Sequence, residues 1–341
     1  MNISQLAEHL GLAVSTVSRV LSGNAEKYRI SNQTADRIRE AAVLHQVVPD
    51  PLGTSLRKGK SGMIGLLVPD ITNPFFAHLA RAIELHLRKS RIAVQLCDSA
   101  EDPETEMELL ENLLQRRLDG MILAPVGVES ESLARCLEGS PMPIILMDRI
   151  VSGVALPSVS LDHFAAGKLA ATTLLQSGHS HLGCLRGSPQ SSADQGRLAG
   201  VEEAVREWKS PAHLTVKGSG YSLEKSLSEA QALLSCNPRP TAILTLTGQG
   251  TLGILNRAND LQIRIPEELS LLAFDEQPWS RLVSPPLATI SQPIEKMATR
   301  ATELLIEALE KGKKQPPPQQ ILYDAELQLR KSVAHFSADA D

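Results

Sequence analysis

The sequence predicts two kinds of structure in series: an all-α head with a helix-turn-helix, then an α/β body of two doubly wound parallel-sheet lobes. Three observations predict it. Before residue 48 the apolar residues recur at helical spacing in three short blocks. From Met63 onward, short near-continuous apolar runs alternate with amphipathic stretches, the pattern of strands covered on both faces. The 341 residues also exceed what one ordinary core organises.

In the head, Ile3, Leu6, Ala7 and Leu10 share one helical face, and Asn2 with Gln5 fits a capping box. Gly11 interrupts. A second helix carries Val14, Val17, Val20 and Leu21 and is stopped by Ser22-Gly23-Asn24. A third starts after Ser31, a natural N-cap, with Ala35, Ile38, Ala41 and Ala42 on one face. Pro49-Asp50-Pro51 closes the head, and Lys58-Gly59-Lys60-Ser61-Gly62 marks a linker. The expected divisions are a head at 1–48, a hinge helix and linker at 49–61, and a body at 62–341.

In the body, Met63–Val68 reads as the first strand, and Pro74 opens a helix with Phe76, Leu79, Ala80, Ile83 and Leu87 on one stripe. Further buried runs are Ile92–Cys97, Gly120–Ala124, Pro143–Met147, His181–Leu185, Ala242–Leu246 and Leu269–Phe274. Helical stretches separate most of them, among them Glu104–Leu114, Gly167–Leu175 and Leu223–Leu234. So long an α/β region divides into lobes, one at about 62–160 with 291–323 and the other at about 161–290 with 324–335. No internal sequence repeat is visible.

Composition narrows the function. Hydrophobic content of 42% with 21% charged residues is that of a globular chain, and 3% aromatics argues against an aromatic platform for single strands or RNA. Cys97, Cys136, Cys184 and Cys236 form no C-x-x-C pair, so no metal site or disulfide framework is expected. Buried free thiols are the reading for them. The first residues lack a charged stretch followed by an apolar core, and no run approaches a membrane span, so a cytoplasmic protein is expected. The net charge of −5 conceals an asymmetry: through Ser61, eight Lys/Arg against five Asp/Glu give +3, leaving −8 on the remainder. A basic head on an acidic body suits a local contact with a polyanion.

The second helix is expected to expose Ser15, Thr16, Ser18 and Arg19, short hydroxyls and an arginine suited to base edges and phosphates in a major groove. An ordinary helical corner would share this pattern. The wording is more specific. Leu6-Ala7 with Leu10–Gly23, then Ile30-Ser31-Asn32-Gln33-Thr34, then Pro49–Arg57, resemble in order the head and hinge of the lactose/galactose-repressor family of bacterial regulators. The resemblance runs through the body to Gln328, and the Lys27–Ser31 loop is similar to the fructose-repressor branch.

The resemblance implies a body of periplasmic-binding-protein type and a homodimer on near-palindromic double-stranded operator DNA. In it Val14 and Ser15 choose bases, Thr16, Ser18 and Arg19 support base and backbone contacts, and Leu56 wedges into the minor groove. The chain departs from the pattern at Ala13, where an N-cap serine is usual, and at Asp50 and Gly53 in the hinge. Ordering Leu52–Arg57 costs on the order of 6–12 kcal/mol of backbone entropy, so the hinge needs DNA and a partner hinge to form.

Ligands of open parallel sheets bind beyond the carboxyl ends of the strands. Those ends carry Asp70, Asn73-Pro74-Phe75-Phe76, Asp98, Pro125, Asp148-Arg149, Asp162, Thr247-Gly248-Gln249 and Asp275. Acids there suit pairs of sugar hydroxyls, and Phe75 or Phe76 suits a sugar's apolar face. Asp98 and Asp162 are read as helix caps. Asp148 and Asp275 resemble the family's ligand-binding aspartates, Arg197 in Gly196–Gly200 its effector-binding arginine, and Gln292 a crossover position near the cleft. Thr247-Gly248 stands where the family often has Asn-Asp, which leaves the effector open among sugars, sugar acids and sugar phosphates.

An enzyme is the main rival, yet the chain has no phosphate loop, no G-x-G-x-x-G after a strand, no G-x-S-x-G elbow and no H-E-x-x-H. His179 and His181 are expected in a loop, and neither catalytic residues nor a cofactor are assigned. A solute-binding protein without DNA binding is the second rival, and the added head argues against it.

Overall fold

The computed structural model describes residues 1–47, 60–312 and 315–336. The hinge stretch Leu52–Arg57, with Leu56, lies outside the described residues. The chain divides into two compact units, Met1–Gly62 and Met63–Asp341.

In the first unit, α1 (Ile3–Leu10), α2 (Val14–Leu21) and α3 (Asn32–Leu44) close around Leu6, Val17, Val20, Ala35 and Ile38. Both ends of α1 and the start of α3 have a local cause. Asn2 Oδ1 accepts from Gln5 N–H while Gln5 Oε1 accepts from Asn2 N–H, 2.9 Å each, completing the capping box. Gly11 ends α1 at φ +65°, the left-handed conformation a glycine adopts without a steric penalty. Ser31 caps α3 by accepting from Thr34 N–H. Ala13, at the N-cap of α2, supplies no side-chain acceptor.

The second unit holds two six-stranded sheets. The first runs in order β11 (Gln320–Tyr323), β5 (Ser158–Leu161), β4 (Ile144–Met147), β3 (Gly120–Leu123), β1 (Met63–Val68), β2 (Ala93–Asp98), all parallel. The second runs β12 (Glu326–Gln328), β10 (Ala288–Ser291), β9 (Ser270–Phe274), β8 (Ala242–Thr245), β6 (His181–Leu185), β7 (His213–Lys217), parallel except that β12 is antiparallel to β10. Around the first sheet lie α4 (Pro74–Lys89), α5 (Pro103–Gln115), α6 (Glu131–Glu138) and α11 (Ile294–Glu310). The second sheet carries α7 (His163–Gln176), α8 (Ser192–Glu207), α9 (Leu223–Leu234) and α10 (Gly248–Asp260). The backbone passes between sheets three times: after Leu161, after Ser291 and after Tyr323.

The central strands β3, β4, β8 and β9 are buried throughout. β2 differs from the expectation of a buried run: it is an edge strand with no fully buried residue, and Leu96 is 44% exposed. The cysteines differ as well. Only Cys184 is buried, whereas Cys97 on that edge, Cys136 on α6 and Cys236 after α9 are partly exposed. His181 opens β6 rather than lying in a loop. His179 is buried, bonded to Thr241 and Ser270, and burial pulls its pKa down.

Two helices of the second lobe approach unusually closely. A Cβ on Gly167 of α7 would sit 3.0 Å from Arg197 Cα, and one on Gly200 of α8 would sit 2.7 Å from Lys168 N. Gly196 faces the His163 side chain in the same way, at 2.9 Å. The Gly196–Gly200 spacing therefore brings two backbones together, with Arg197 between the glycines and beside His163.

Candidate functional site

At matching places in the two lobes, the chain turns sharply just after the fourth strand. Asp148 follows β4 at φ +63° and Asp275 follows β9 at φ +70°. Each N–H donates to the next strand, Asp148 to Val159 O at 2.9 Å and Asp275 to Ile290 O at 3.0 Å. Aspartate tolerates this conformation better than most residues, at a cost of order 1–3 kcal/mol. The turn leaves both carboxylates beyond the strand ends.

Arg197 ties these acids together. Its Nη1 donates to Leu246 O at 2.7 Å, its Nε donates to His163 Nδ1 at 3.2 Å, and its guanidinium lies 4.5 Å from the Phe274 ring centroid. Because a guanidinium only donates, His163 Nδ1 must accept and Nε2 carries the proton. That Nε2 donates to Asp148 O at 3.0 Å and stands 3.4 Å from Asp148 Oδ1. Burial pushes Asp148 up, but His163, Arg197 and Arg149 together hold its carboxyl below the ordinary aspartate value. At Asp275 burial prevails over Arg197 and Gln292, and the pKa is raised. Gln292 Nε2 donates to Asp275 Oδ1 at 2.6 Å, which leaves Gln292 Oε1 as a buried acceptor.

Arg149 joins this cluster to an open cleft. Its Nη1 and Nη2 donate to Glu101 at 2.9 and 2.7 Å, and its guanidinium lies between the rings of Phe76 (5.3 Å) and Tyr221 (4.8 Å). Burial lowers the Arg149 pKa but Tyr221, Glu101 and Asp148 raise it by more, and burial pushes Tyr221 up to about 12. Tyr221 belongs to the second lobe, so the stack spans both. The cleft of about 850 Å³ is lined by Asp70, Asp98, Glu101, Tyr221, Lys225 and Gln249, among others. Further links between lobes run from Val128 N–H to Gln190 O (2.8 Å) and Ile150 N–H to Ser192 Oγ (2.9 Å).

Among the described residues five buried side-chain atoms have no hydrogen-bond partner: Asp148 Oδ1, Arg149 Nε, Gln249 Oε1 and Gln292 Oε1, and Ser191 Oγ beside Tyr221. Buried polar atoms are normally paired, so a concentration of exceptions marks a place where a ligand completes the bonding.

Of the expected effector residues, Asp148, Arg197, Asp275 and Gln292 form one connected cluster. Phe75 and Phe76 pack edge to face at 5.0 Å and are buried in the lobe-one core, with Phe76 also under Arg149. Thr247 is buried and its hydroxyl caps α10 by accepting from Gly250 N–H. Asp162 caps α7. Asp98 instead accepts from Ile71 and Ala100 N–H, bracing the loops after β1 and β2. Sequence reasoning missed His163, Glu101 and Tyr221. No motif announces them, although His163 directly follows a recognised strand-end acid.

In the head, α2 presents Val14 (47% exposed), Ser15 and Arg19, while Thr16 is half-buried. Arg19 lies over Tyr28 at 4.0 Å. Ser18 is a correction: it is 6% exposed, not part of an open polar face. At 100° per residue it directly flanks the Val17 stripe, where its small side chain is covered.

Residues 171–333 match the family described as periplasmic binding protein-like domain. The chain is 31% identical over 91% of its length to the ribose operon repressor of Halalkalibacterium halodurans, covering 90% of that protein. A LacI family transcriptional regulator from Enterococcus faecium, solved with bound ribose, superposes with a TM-score of 0.71 at 27% identity, over 81% of this chain and all of that one. The Lac repressor dimer bound to operator and an anti-inducer gives a TM-score of 0.85 at 20% identity, over 96% and 98% of the two chains, a likeness of fold. Among the described residues no helix is long and apolar enough to cross a membrane. Head motif, two-lobed body and a relative aligned across nearly the whole length agree: the chain belongs to the LacI family of transcriptional regulators.

Proposed function

We propose that this protein is a sequence-specific operator-binding repressor, working as a cytoplasmic homodimer on near-palindromic DNA, whose affinity is set by a sugar or sugar derivative held between its lobes. The carrying observation is the group of unpartnered buried atoms, Asp148 Oδ1, Arg149 Nε, Gln249 Oε1 and Gln292 Oε1, drawn from both lobes. A polyhydroxyl ligand that satisfies all four favours one spacing of the lobes, and its differential affinity for that state is what can shift DNA binding. Asp148, Arg197, Asp275 and Gln292 are the contacts proposed, with Phe75, Phe76 and Thr247 shaping the walls. Val14 and Ser15 choose bases, Thr16, Ser18 and Arg19 support contacts to bases and backbone, and Leu56 wedges the minor groove. The relatives named are transcription regulators, which supports a binding role without catalysis.

The test is fluorescence anisotropy on the DNA upstream of the protein's own operon, with and without a sugar panel. The wild type shows salt-dependent binding that one class of sugar alters. Arg197→Ala and Asp275→Ala keep DNA binding and lose the response. An intact response in both variants would remove this site, and indifference to every fragment would remove the operator-binding reading.

A further inference from the structure

The effector reading leaves open whether the ligand carries a negative charge, and the side chains around the cleft bear on that choice. We infer that Glu101 is a specificity-determining residue that commits the cleft to an uncharged polyol and rejects sugar phosphates and sugar acids. This rests on the cleft being the effector site.

A phosphate or carboxylate bound out of water needs a cation with free donors. Both terminal nitrogens of Arg149 are already engaged by Glu101 in a two-pronged pair at 2.7 and 2.9 Å, with the Arg149 side chain 3% exposed, which leaves Nε as its one unpaired donor. Arg186, at the end of β6, is paired with Asp194 at 2.6 Å. Arg197 is shared among Leu246 O, His163 and the fields of Asp148 and Asp275. Lys225 lies on the exposed rim, where water screens it. Against these stand Asp70, Asp98 and Glu101 on the cleft wall itself.

The unpartnered atoms point the same way. Three of the five, Asp148 Oδ1, Gln249 Oε1 and Gln292 Oε1, can only accept, and the Gln292 orientation is fixed by its amide donating to Asp275. Acceptors require donors. Sugar hydroxyls supply them, whereas a phosphate dianion or carboxylate offers only more acceptors. The backbone holds Glu101 in place, since Ala100 and Glu101 both take positive φ, +53° and +57°, and Glu101 N–H donates to Pro69 O at 2.6 Å. That turn brings the carboxylate back over Arg149.

The experiment is titration calorimetry of the full-length protein with matched pairs: D-ribose and D-ribose 5-phosphate, D-fructose and D-fructose 1-phosphate, D-glucose, D-glucose 6-phosphate and D-gluconate. The wild type is expected to bind a neutral member at least tenfold more tightly than its anionic counterpart. Glu101→Gln, which keeps the shape and removes the charge, is expected to gain at least tenfold for the anionic counterpart relative to the wild type. A wild type that prefers the anion overturns the inference while leaving the effector site standing, as does a folded Glu101→Gln with unchanged discrimination. If no sugar or anion binds and the Arg197→Ala and Asp275→Ala variants respond like wild type in the DNA assay, the effector-site reading falls with it.

Discussion

Replacing Gly200 by alanine adds one methyl group where α8 meets α7. A Cβ there collides with the carbonyl oxygen of Phe164 and lies 2.7 Å from the backbone nitrogen of Lys168. Both atoms belong to the α7 backbone, so no rotamer change relieves the contact and the helices must separate. Alanine in a helix interior would otherwise gain about 1 kcal/mol over glycine. Overpacking costs about 1–3 kcal/mol, and contact with rigid backbone places this case at the upper end. The net loss is about 2 kcal/mol, which with a urea dependence of about 3 kcal/mol per molar lowers the unfolding midpoint by about 0.7 M. Far-UV circular dichroism during urea titration reads this directly. Gly248→Ala is the control: no atom lies within 4 Å of its Cβ, and the midpoint should hold or rise by the equivalent of at most about 1 kcal/mol. A Gly200→Ala midpoint at or above the wild type would refute the close approach that seats Arg197 against His163.

Leu56→Ala is expected to lose most specific operator affinity while retaining salt-sensitive nonspecific binding, checked by anisotropy on operator and scrambled duplexes over a salt series. Glu106, buried on α5 with its carboxylate accepting from Val126 N–H, has its pKa raised by burial to about 7 from 4.5. A raised folded-state pKa means its contribution is full below about 4.5 and is lost as pH rises through about 7, a span of about 3 kcal/mol. Urea midpoints of wild type and Glu106→Gln from pH 4.5 to 8 should therefore converge on the acid side and separate as the wild type weakens, and parallel profiles would contradict this.

The legible parts of the sequence were those where one residue type had one structural reading. Asn2 with Gln5, Ser31 and Pro74 marked helix starts because their side chains act within three residues of themselves. Central strands were legible because burial on both faces leaves an unbroken apolar run, as in Gly120–Leu123 and Ser270–Phe274. Edge strand β2 was read as the run Ile92–Cys97, but the short interior strands β5 and β10 and the strands β7, β11 and β12 were not read. β7 (His213–Lys217) is half-buried along most of its length, and β11 and β12 are four and three residues long. The two lobes repeat the same turn after their fourth strands, yet Met147-Asp148 and Phe274-Asp275 share only the acid, so the repeat is structural and silent in sequence. Arg197, Asp148 and Asp275 were reached through wording shared with a family. His163, Glu101 and Tyr221 were not, because what unites them is distance across the fold: 48 positions separate Glu101 from its partner Arg149.

The three passages of backbone between the sheets bear on the order in which this protein folds as it is made. Helix α11 supplies Met297, Ala298, Ala301, Leu304 and Leu305 to the lobe-one core, and β11 closes that lobe's edge beside β5. Both are encoded after the whole of β10, so a nascent chain cannot finish its first lobe while its second is still inside the ribosome. The head, complete by residue 47, is free to fold early; the two lobes must wait and mature together, and a premature stop before Tyr323 leaves both lobes unfinished rather than one intact.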